Sequence, residues 1–118
     1  MKYLCLVFLD AESCDRMPDD DRRTLEKEHL AYDETFRRSG QIIVAEALQA
    51  AEASTVVRVR QGRMSITDGP FVETKEQLGG FFLIEARDLN EAILVASRIP
   101  SARLGSVEVR PVRELGLV

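Results

Sequence analysis

Two uninterrupted apolar segments constrain this chain more than any other feature of its sequence. Residues 2–9 (KYLCLVFL) and 81–84 (FFLI) are rich in strand-forming residues and do not alternate between apolar and polar side chains. A strand with one solvated face alternates, whereas a strand covered on both faces does not. The two segments therefore predict two central strands of a sheet that is covered on both sides.

The longest helical pattern begins after Pro18. The acids of residues 19–21 suit a helix N-terminus, and the pattern predicts a helix to about Ser39, with Arg37 and Arg38 favoured at its C-terminal end. Its apolar residues recur with helical spacing, and the only histidine lies at the centre of that stripe. The stripe consists of Leu25, His29, Tyr32 and Phe36.

Shorter patterns predict the remaining elements. Gln61-Gly62 joins two strand-like segments as a hairpin turn, and Asp88 with Glu91 resembles the capping box of a second helix. Gly79-Gly80 precedes the second apolar strand, and Pro111 suggests that the last strand lies at a sheet edge. The further predicted strands are residues 42–48, 54–60, 63–67 and 107–111.

This order predicts an α+β fold, a ferredoxin-like βαββαβ plan with an inserted β-hairpin, as one domain over residues 1–118. In the usual strand order of that plan, the first and third core strands are central, and these are the two apolar segments. Helices would cover only one face of the sheet. A second copy of the chain, packed sheet to sheet in a homodimeric α+β barrel, is the simplest cover for the other face.

Composition excludes several classes of function. Between Asp10 and Glu34, ten acids face four bases, so we expect no nucleic-acid partner. The apolar run Leu4–Leu9 is too short to span a membrane, and we expect neither a membrane association nor a signal peptide. The two cysteines, Cys5 and Cys14, form no disulfide framework, so we expect reduced thiols and a cytoplasmic location. Two isolated cysteines and a single histidine also form no metal-ligand set, so we expect no metal. Gly79-Gly80 lacks the spacing of a phosphate loop, and we expect no cofactor.

Three polar residues are candidates for chemistry. His29 can act as an acid or base near neutral pH, or it can be a core histidine bonded to a backbone carbonyl. Asp68 could orient His29 or accept its proton, but an Asp before Gly-Pro also bonds its own turn readily. Alternation places Glu46 on one strand face with the apolar residues Ile42, Val44 and Leu48, so it either lines a wet pocket or lies near an exposed strand end.

Residues 68–81 (DGPFVETKEQLGGF) resemble the signature of the DGPF group of the YCII-related domain family. The resemblance implies a homodimer of the dimeric α+β barrel superfamily, with a pocket between helix and sheet that we expect Glu46, Tyr32 and Phe71 to line. It also implies a similarity to small cofactor-free decyclising, isomerising or dehydrochlorinating enzymes. In those enzymes a histidine and an aspartate are the proposed proton-transfer pair, here assigned to His29 and Asp68.

Two functions follow as expectations. The first is cofactor-independent acid/base catalysis on a small organic molecule. The second is a non-catalytic ligand-binding or regulatory module, because members of the DGPF group are often companions of extracytoplasmic-function sigma factors.

Overall fold

The computed structural model describes residues 1–116 of the chain. Its six strands are β1 (Lys2–Asp10), β2 (Ile42–Ala47), β3 (Thr55–Arg60), β4 (Arg63–Asp68), β5 (Glu76–Glu85) and β6 (Gly105–Pro111). Its helices are α1 (Ala11–Asp15), α2 (Asp19–Arg38) and α3 (Leu89–Ser97), with 3₁₀ turns at Ala51–Ala53 and Pro100–Leu104.

Four strands form one antiparallel sheet in the order β2-β5-β1-β6. This is the ferredoxin-like order, and it confirms the predicted α+β plan with an inserted hairpin. The two apolar segments lie in β1 and β5, which are the central strands as expected. Strand β6 lies at the edge, where Pro111 removes one backbone donor without breaking an interior ladder.

The hydrophobic core lies on the helix-facing side of the sheet. Cross-strand pairs such as Tyr3 with Ile84 and Cys5 with Phe82 point toward α2 and α3. These four side chains are buried, and burial of such apolar area is the main source of folding free energy. The other core residues are Val7, Tyr32, Ile42, Ala86, Ala92, Val95, Ala96 and Ile99.

The opposite side of the sheet, which we call the open face, is also apolar at its centre. The pairs Leu4 with Leu83 and Leu6 with Phe81 lie there and are only half-buried. The unbroken apolar pattern of β1 and β5 is therefore explained by two apolar faces, one of which keeps part of its surface accessible in the single chain.

Two irregularities correct the strand assignments. A register shift between Ile42 and Val44 turns Val44 and Glu46 to the open face, opposite Leu83 and Phe81. The expectation that Ile42 shares a face with Glu46 is therefore wrong, because strict alternation does not hold across a bulge.

The second irregularity concerns Gly79-Gly80. These glycines lie inside β5 rather than before it, because the strand begins at Glu76 and bulges where Val7 pairs with Gly80 and Phe8 with Leu78. A Cβ on Gly80 would lie 3.0 Å from the backbone oxygen of Glu46, so a larger residue would push β2 away at this point.

The inserted hairpin forms a separate two-stranded sheet, and we call residues 55–68 the arm. Its turn has positive φ at Gln61 (53°) and Gly62 (75°), as in the mirror-image turns that match strand twist. At its base, the Gly69 amide donates a 2.8 Å hydrogen bond to the Ser54 carbonyl. A Cβ on Gly69 would lie 2.6 Å from the Ser54 Cβ, so the close approach of the two chain segments requires glycine here.

The helix ends agree closely with the sequence prediction. Helix α2 begins at Asp19, directly after Pro18, and ends at Arg38. At the start of α3, the Asp88 carboxylate accepts from the Glu91 amide at 2.9 Å, as predicted. In a complete capping box the Glu91 carboxylate would accept a hydrogen bond from the Asp88 amide in return. Here it accepts from the amide of Arg87, one residue earlier.

Candidate functional site

A cavity of about 310 Å³ lies on the helix-facing side of the sheet. Strands β1, β2 and β5 line it from one side, and α2 and the 3₁₀ turn Pro100–Leu104 line it from the other. The lining is mainly apolar, and His29, Asp33 and Ser101 are the polar residues that border it on the helix side. A concave, mainly apolar pocket with a few convergent polar groups is typical of a small-molecule site.

His29 enters this cavity from the predicted apolar stripe of α2. The imidazole is half-buried, and its ring centroid lies 6.5 Å from that of Phe82 on β5. Asp33 follows one helical turn later and lines the same cavity, because side chains four residues apart are neighbours on a helix surface. No motif in the sequence marks Asp33, although its i,i+4 spacing from His29 is the signal that could have identified it.

The surroundings of His29 favour its neutral form. Burial lowers the pKa of the imidazole below its usual value of 6.5, and the nearby Arg103 guanidinium lowers it further. The carboxylates of Asp33 and Glu28 act in the opposite direction, without outweighing burial. A neutral imidazole is the form that accepts a proton, so His29 is placed to act as a base.

Ser101 borders the cavity on the same side as α2. The residue is 6% exposed and lies in the 3₁₀ turn after α3. It is one of the polar residues that line the cavity. No sequence pattern around Ser101 distinguishes it from an ordinary turn serine.

Glu46 borders the cavity from β2, but its side chain lies on the open face opposite Phe81 and is exposed. Of the residues named from the sequence, His29 therefore turns its side chain to this cavity and Glu46 does not. The exposed position at an edge strand is the description that fits Glu46.

Tyr32 lies in the core rather than in the cavity lining. Its hydroxyl donates a buried 2.8 Å hydrogen bond to the Val95 carbonyl, and its ring contacts those of Phe36 and Phe82. The sequence predicts Tyr32 in the pocket lining, whereas the structure places it in the core. The register puts its side chain between α2 and α3 instead.

The DGPF segment lies elsewhere in the molecule. Asp68 ends β4, pairs with Thr55 and is exposed, and it is not among the charged groups that act on His29. Phe71 is 72% exposed, and the Arg58 guanidinium lies 5.5 Å from the centre of its ring. The structure does not bring Asp68 and His29 together.

Phe71 lines a different and larger cavity of about 820 Å³ between the arm, the DGPF segment and the open face. Phe8 and Leu78 come to it from the sheet, and Pro70 and Phe71 from the DGPF segment. Its lining contains no histidine, aspartate or glutamate, so this cavity offers shape and apolar surface rather than acid/base chemistry.

In residues 1–116, no group of three histidine, cysteine, aspartate or glutamate side chains is arranged to hold a metal ion. Over the same range, no helix has the length and apolar character needed to cross a membrane. The free thiols of Cys5 and Cys14 lie apart, Cys5 in the core and Cys14 at the surface end of α1.

Comparison with solved structures finds a similar fold. The chain resembles 5-chloro-2-hydroxyhydroquinone dehydrochlorinase (TftG) of Burkholderia phenoliruptrix AC1100, solved in complex with 2,5-dihydroxybenzoquinone, with a TM-score of 0.54. The match covers 96% of this chain and 94% of the other at 19% identity, so it supports the fold and not the activity.

Sequence comparison gives a nearer relative and a family. The chain is 31% identical over 113 residues to an uncharacterised protein of Rhizobium meliloti (strain 1021), covering 94% of this chain and 91% of the relative. Residues 1–116 match the YCII-related domain, and the DGPF motif lies within the matched range. This chain therefore belongs to the YCII-related domain family.

Proposed function

We propose that this protein is an enzyme that moves a proton on a small organic molecule without a cofactor, with His29 as the general base. The observation that carries the proposal is a half-buried imidazole, held neutral by burial, in the wall of a mainly apolar cavity. A general base works best when its unprotonated form predominates at the working pH.

In this mechanism His29 accepts a proton from an O–H group, or from a C–H group acidified by a neighbouring carbonyl. The imidazolium that forms is stabilised by the Asp33 carboxylate, which lies one helical turn away and favours the protonated ring. The same imidazolium then returns the proton to another atom of the bound molecule. The pair assigned here is therefore His29 with Asp33, in place of His29 with Asp68.

The substrate class follows from the size and lining of the cavity. A volume of about 310 Å³ accommodates a single substituted ring or a molecule of similar size, and apolar walls bind its ring faces. The structurally similar TftG is a dehydrochlorinase of a chlorinated hydroxyhydroquinone and was solved with a dihydroxybenzoquinone. We infer an oxygenated ring compound as the substrate class of this chain also.

We further propose that the protein is a cytoplasmic homodimer. The single chain exposes 8773 Å². Area scaling gives an exposed surface of about 6,450 Å² for a compact protein of this mass, so the single chain exposes about 2,300 Å² more than that. Stable homodimers bury areas of this order, and the half-buried apolar open face is the surface that needs a cover. Light scattering should give about twice 13.3 kDa for the homodimer.

The cytoplasmic location is supported by the two free cysteines. They lie apart in the structure, as suits a protein of a reducing compartment.

Proton exchange in D₂O tests the enzymatic function without knowledge of the product. Hydroxylated benzenes and hydroxyquinones, including 2,5-dihydroxybenzoquinone, are incubated with the protein, and loss of ring C–H signals is followed by NMR. We expect faster exchange for at least one compound and a loss of roughly 100-fold or more in His29→Gln. Lys27→Gln, an exposed change on the same helix, is the matched control and should keep the wild-type rate.

Two results would contradict the enzyme. Exchange that survives in His29→Gln would remove the base assigned here. Saturable shifts of the His29 signals without any exchange would indicate a binding module, which is the second function expected from the sequence.

A further inference from the structure

The arm is not part of the main sheet. Strands β3 and β4 pair only with each other, and six residues per strand at roughly 3.3 Å each give an arm about 20 Å long. A two-stranded hairpin on its own is marginally stable in water, so an arm of this kind is expected to be held by a surface outside it.

One face of the arm is apolar beyond the polar pair at its base. Val57 pairs with Ile66 and Val59 pairs with Met64, and alternation along the strands places these two pairs on the same face. Their exposed fractions are 56%, 58%, 60% and 66% in the order Val57, Ile66, Val59, Met64. Four adjacent, exposed apolar side chains mark a contact surface rather than a solvated one.

The arm is also positively charged. Arg58, Arg60 and Arg63 lie on it, with Asp68 as the only acid, at its base. Arg60 and Arg63 flank the turn at the tip and lie on the face opposite the apolar one, so in a groove filled by the apolar face they would border its rim. Among residues 1–116, none of the three guanidinium groups forms an ion pair with a carboxylate.

A groove on α2 has the complementary character, and we call it the α2 groove. It has a volume of about 630 Å³ and includes the apolar side chains of Leu25 and Leu30, of which Leu30 is 72% exposed. Its carboxylates are Asp15, Glu26 and Asp33, and none of them is ion-paired within the described part of the chain. Its one guanidinium, Arg22, donates to the Cys14 carbonyl.

We infer that the arm of one protomer docks into the α2 groove of a second copy of this chain, with its apolar face on Leu25 and Leu30 and its tip arginines on the acidic rim. The unpaired charges on the two surfaces are opposite in sign, which argues that the occupant is a second copy rather than an unrelated protein. The excess exposed area of about 2,300 Å² estimated from area scaling is also of the size that a dimer buries.

This docking would complete the candidate site, so the inference rests in part on the proposed function. The α2 groove shares Leu25, His29 and Asp33 with the smaller cavity, which therefore opens into it. A docked arm would cover that opening and remove water from around the imidazole. Each protomer would then close the site of its partner.

The test uses substitutions on the two faces of the arm, which are exposed in the single chain and so leave its fold intact. Met64→Lys alters the apolar face, and Ser65→Lys, its neighbour on the opposite face, is the matched control. We expect Met64→Lys to raise the dimer dissociation constant at least tenfold in sedimentation experiments and to shift the His29 imidazole signals. Ser65→Lys should do neither.

A charge exchange tests the identity of the docking surface. Arg60→Glu with Arg63→Glu should weaken the dimer at least tenfold, and adding Asp15→Arg with Glu26→Arg in the same chain should restore most of the affinity. Failure of the second pair to restore it would place the arm on another surface.

Three results would overturn the docking. A wild-type protein that is monomeric at 100 µM would remove the dimer as well. Unchanged dissociation constants in every arm variant would show a dimer that does not use the arm. Weaker dimers with unshifted His29 signals would place the arm away from the site. Proton exchange measured on the same samples tests the proposed enzymatic function separately from the docking. His29→Gln should abolish exchange without altering the arm.

Discussion

Glu28 and Arg103 join the two elements that line the candidate site opposite the sheet. The guanidinium of Arg103 donates to both carboxylate oxygens of Glu28, at 2.7 and 3.0 Å, and so links α2 to the 3₁₀ turn that carries Ser101. The hydrogen bonds lower the pKa of Glu28, and the positive charge of Arg103 lowers the pKa of the adjacent His29.

Removing the charge of Arg103 should therefore raise the pKa of His29. Arg103→Met deletes a cation near the imidazole while Glu28 and Asp33, which favour the protonated ring, remain. An NMR titration of the only histidine measures the change directly. Arg98→Met is the control, because Arg98 is not among the charges that act on His29; equal pKa values in both variants would contradict the assignment.

The carboxylate that acts on His29 can be identified in the same way. Asp33→Asn should lower the pKa of His29 further below 6.5, because it removes a charge that favours the imidazolium. Asp68→Asn should leave the pKa unchanged. The reverse pattern would restore the pair His29 with Asp68 and remove Asp33 from the mechanism.

The sequence predicted the fold well because its strongest signals are local and periodic. The continuous apolar segments in β1 and β5, the Gln61-Gly62 turn and the Asp88 cap each act through neighbouring residues. Helix α1 was missed since it has five residues and no apolar periodicity, and only the Asp10 carboxylate, accepting from the Glu12 amide, marks its start.

The site was harder to predict because it depends on which residues meet in space. His29 followed from its place in the apolar stripe of α2, but Ser101 comes from a turn more than 70 residues away without any pattern. Asp68 is a candidate in the sequence because it belongs to a distinctive motif. In the structure that motif closes the base of the arm, where Gly69 has the close contact with Ser54.

Tyr32→Phe should destabilise the protein by about 1 kcal/mol, the usual net contribution of a hydrogen bond in a buried site. The lost hydroxyl bonds the Val95 carbonyl at 2.8 Å and ties α2 to α3. Tyr3→Phe is the matched control, because Tyr3 is equally buried but its hydroxyl meets only the Met1 sulfur, at 3.9 Å. Urea denaturation measures both changes, and equal losses would contradict the special role of Tyr32.

The pH dependence of stability should carry the signature of His29. Because burial lowers its pKa in the folded state, the unfolded chain binds more protons just below pH 6.5, and the free energy of unfolding falls as the pH falls through that range. His29→Gln should show a shallower fall between pH 7 and pH 5. Urea denaturation at fixed protein concentration provides the comparison, and parallel curves would mean that the folded protein does not shift the pKa of His29.

The two thiols should differ in reactivity. Burial raises the pKa of Cys5 to about 11, whereas Cys14 is more accessible and its pKa is raised less strongly by burial and by Asp15. Since the thiolate is the reactive form, a thiol reagent at pH 8 should modify Cys14 first and Cys5 only after unfolding. Cys14→Ser should then leave no fast-reacting thiol in the native protein. A fast reaction in that variant would show that the core opens around Cys5.

Gly69→Ala should destabilise the base of the arm, because the new Cβ would lie 2.6 Å from the Cβ of Ser54. Forcing such an overlap costs about 1–3 kcal/mol in packed regions, and here it would also stretch the hydrogen bond from the Gly69 amide to the Ser54 carbonyl. Adding Ser54→Gly removes the opposing Cβ and should recover part of the loss. Thermal denaturation and arm amide exchange of the single and double variants measure both effects. A double variant no more stable than Gly69→Ala would show that the contact with Ser54 is not the reason for glycine in this motif.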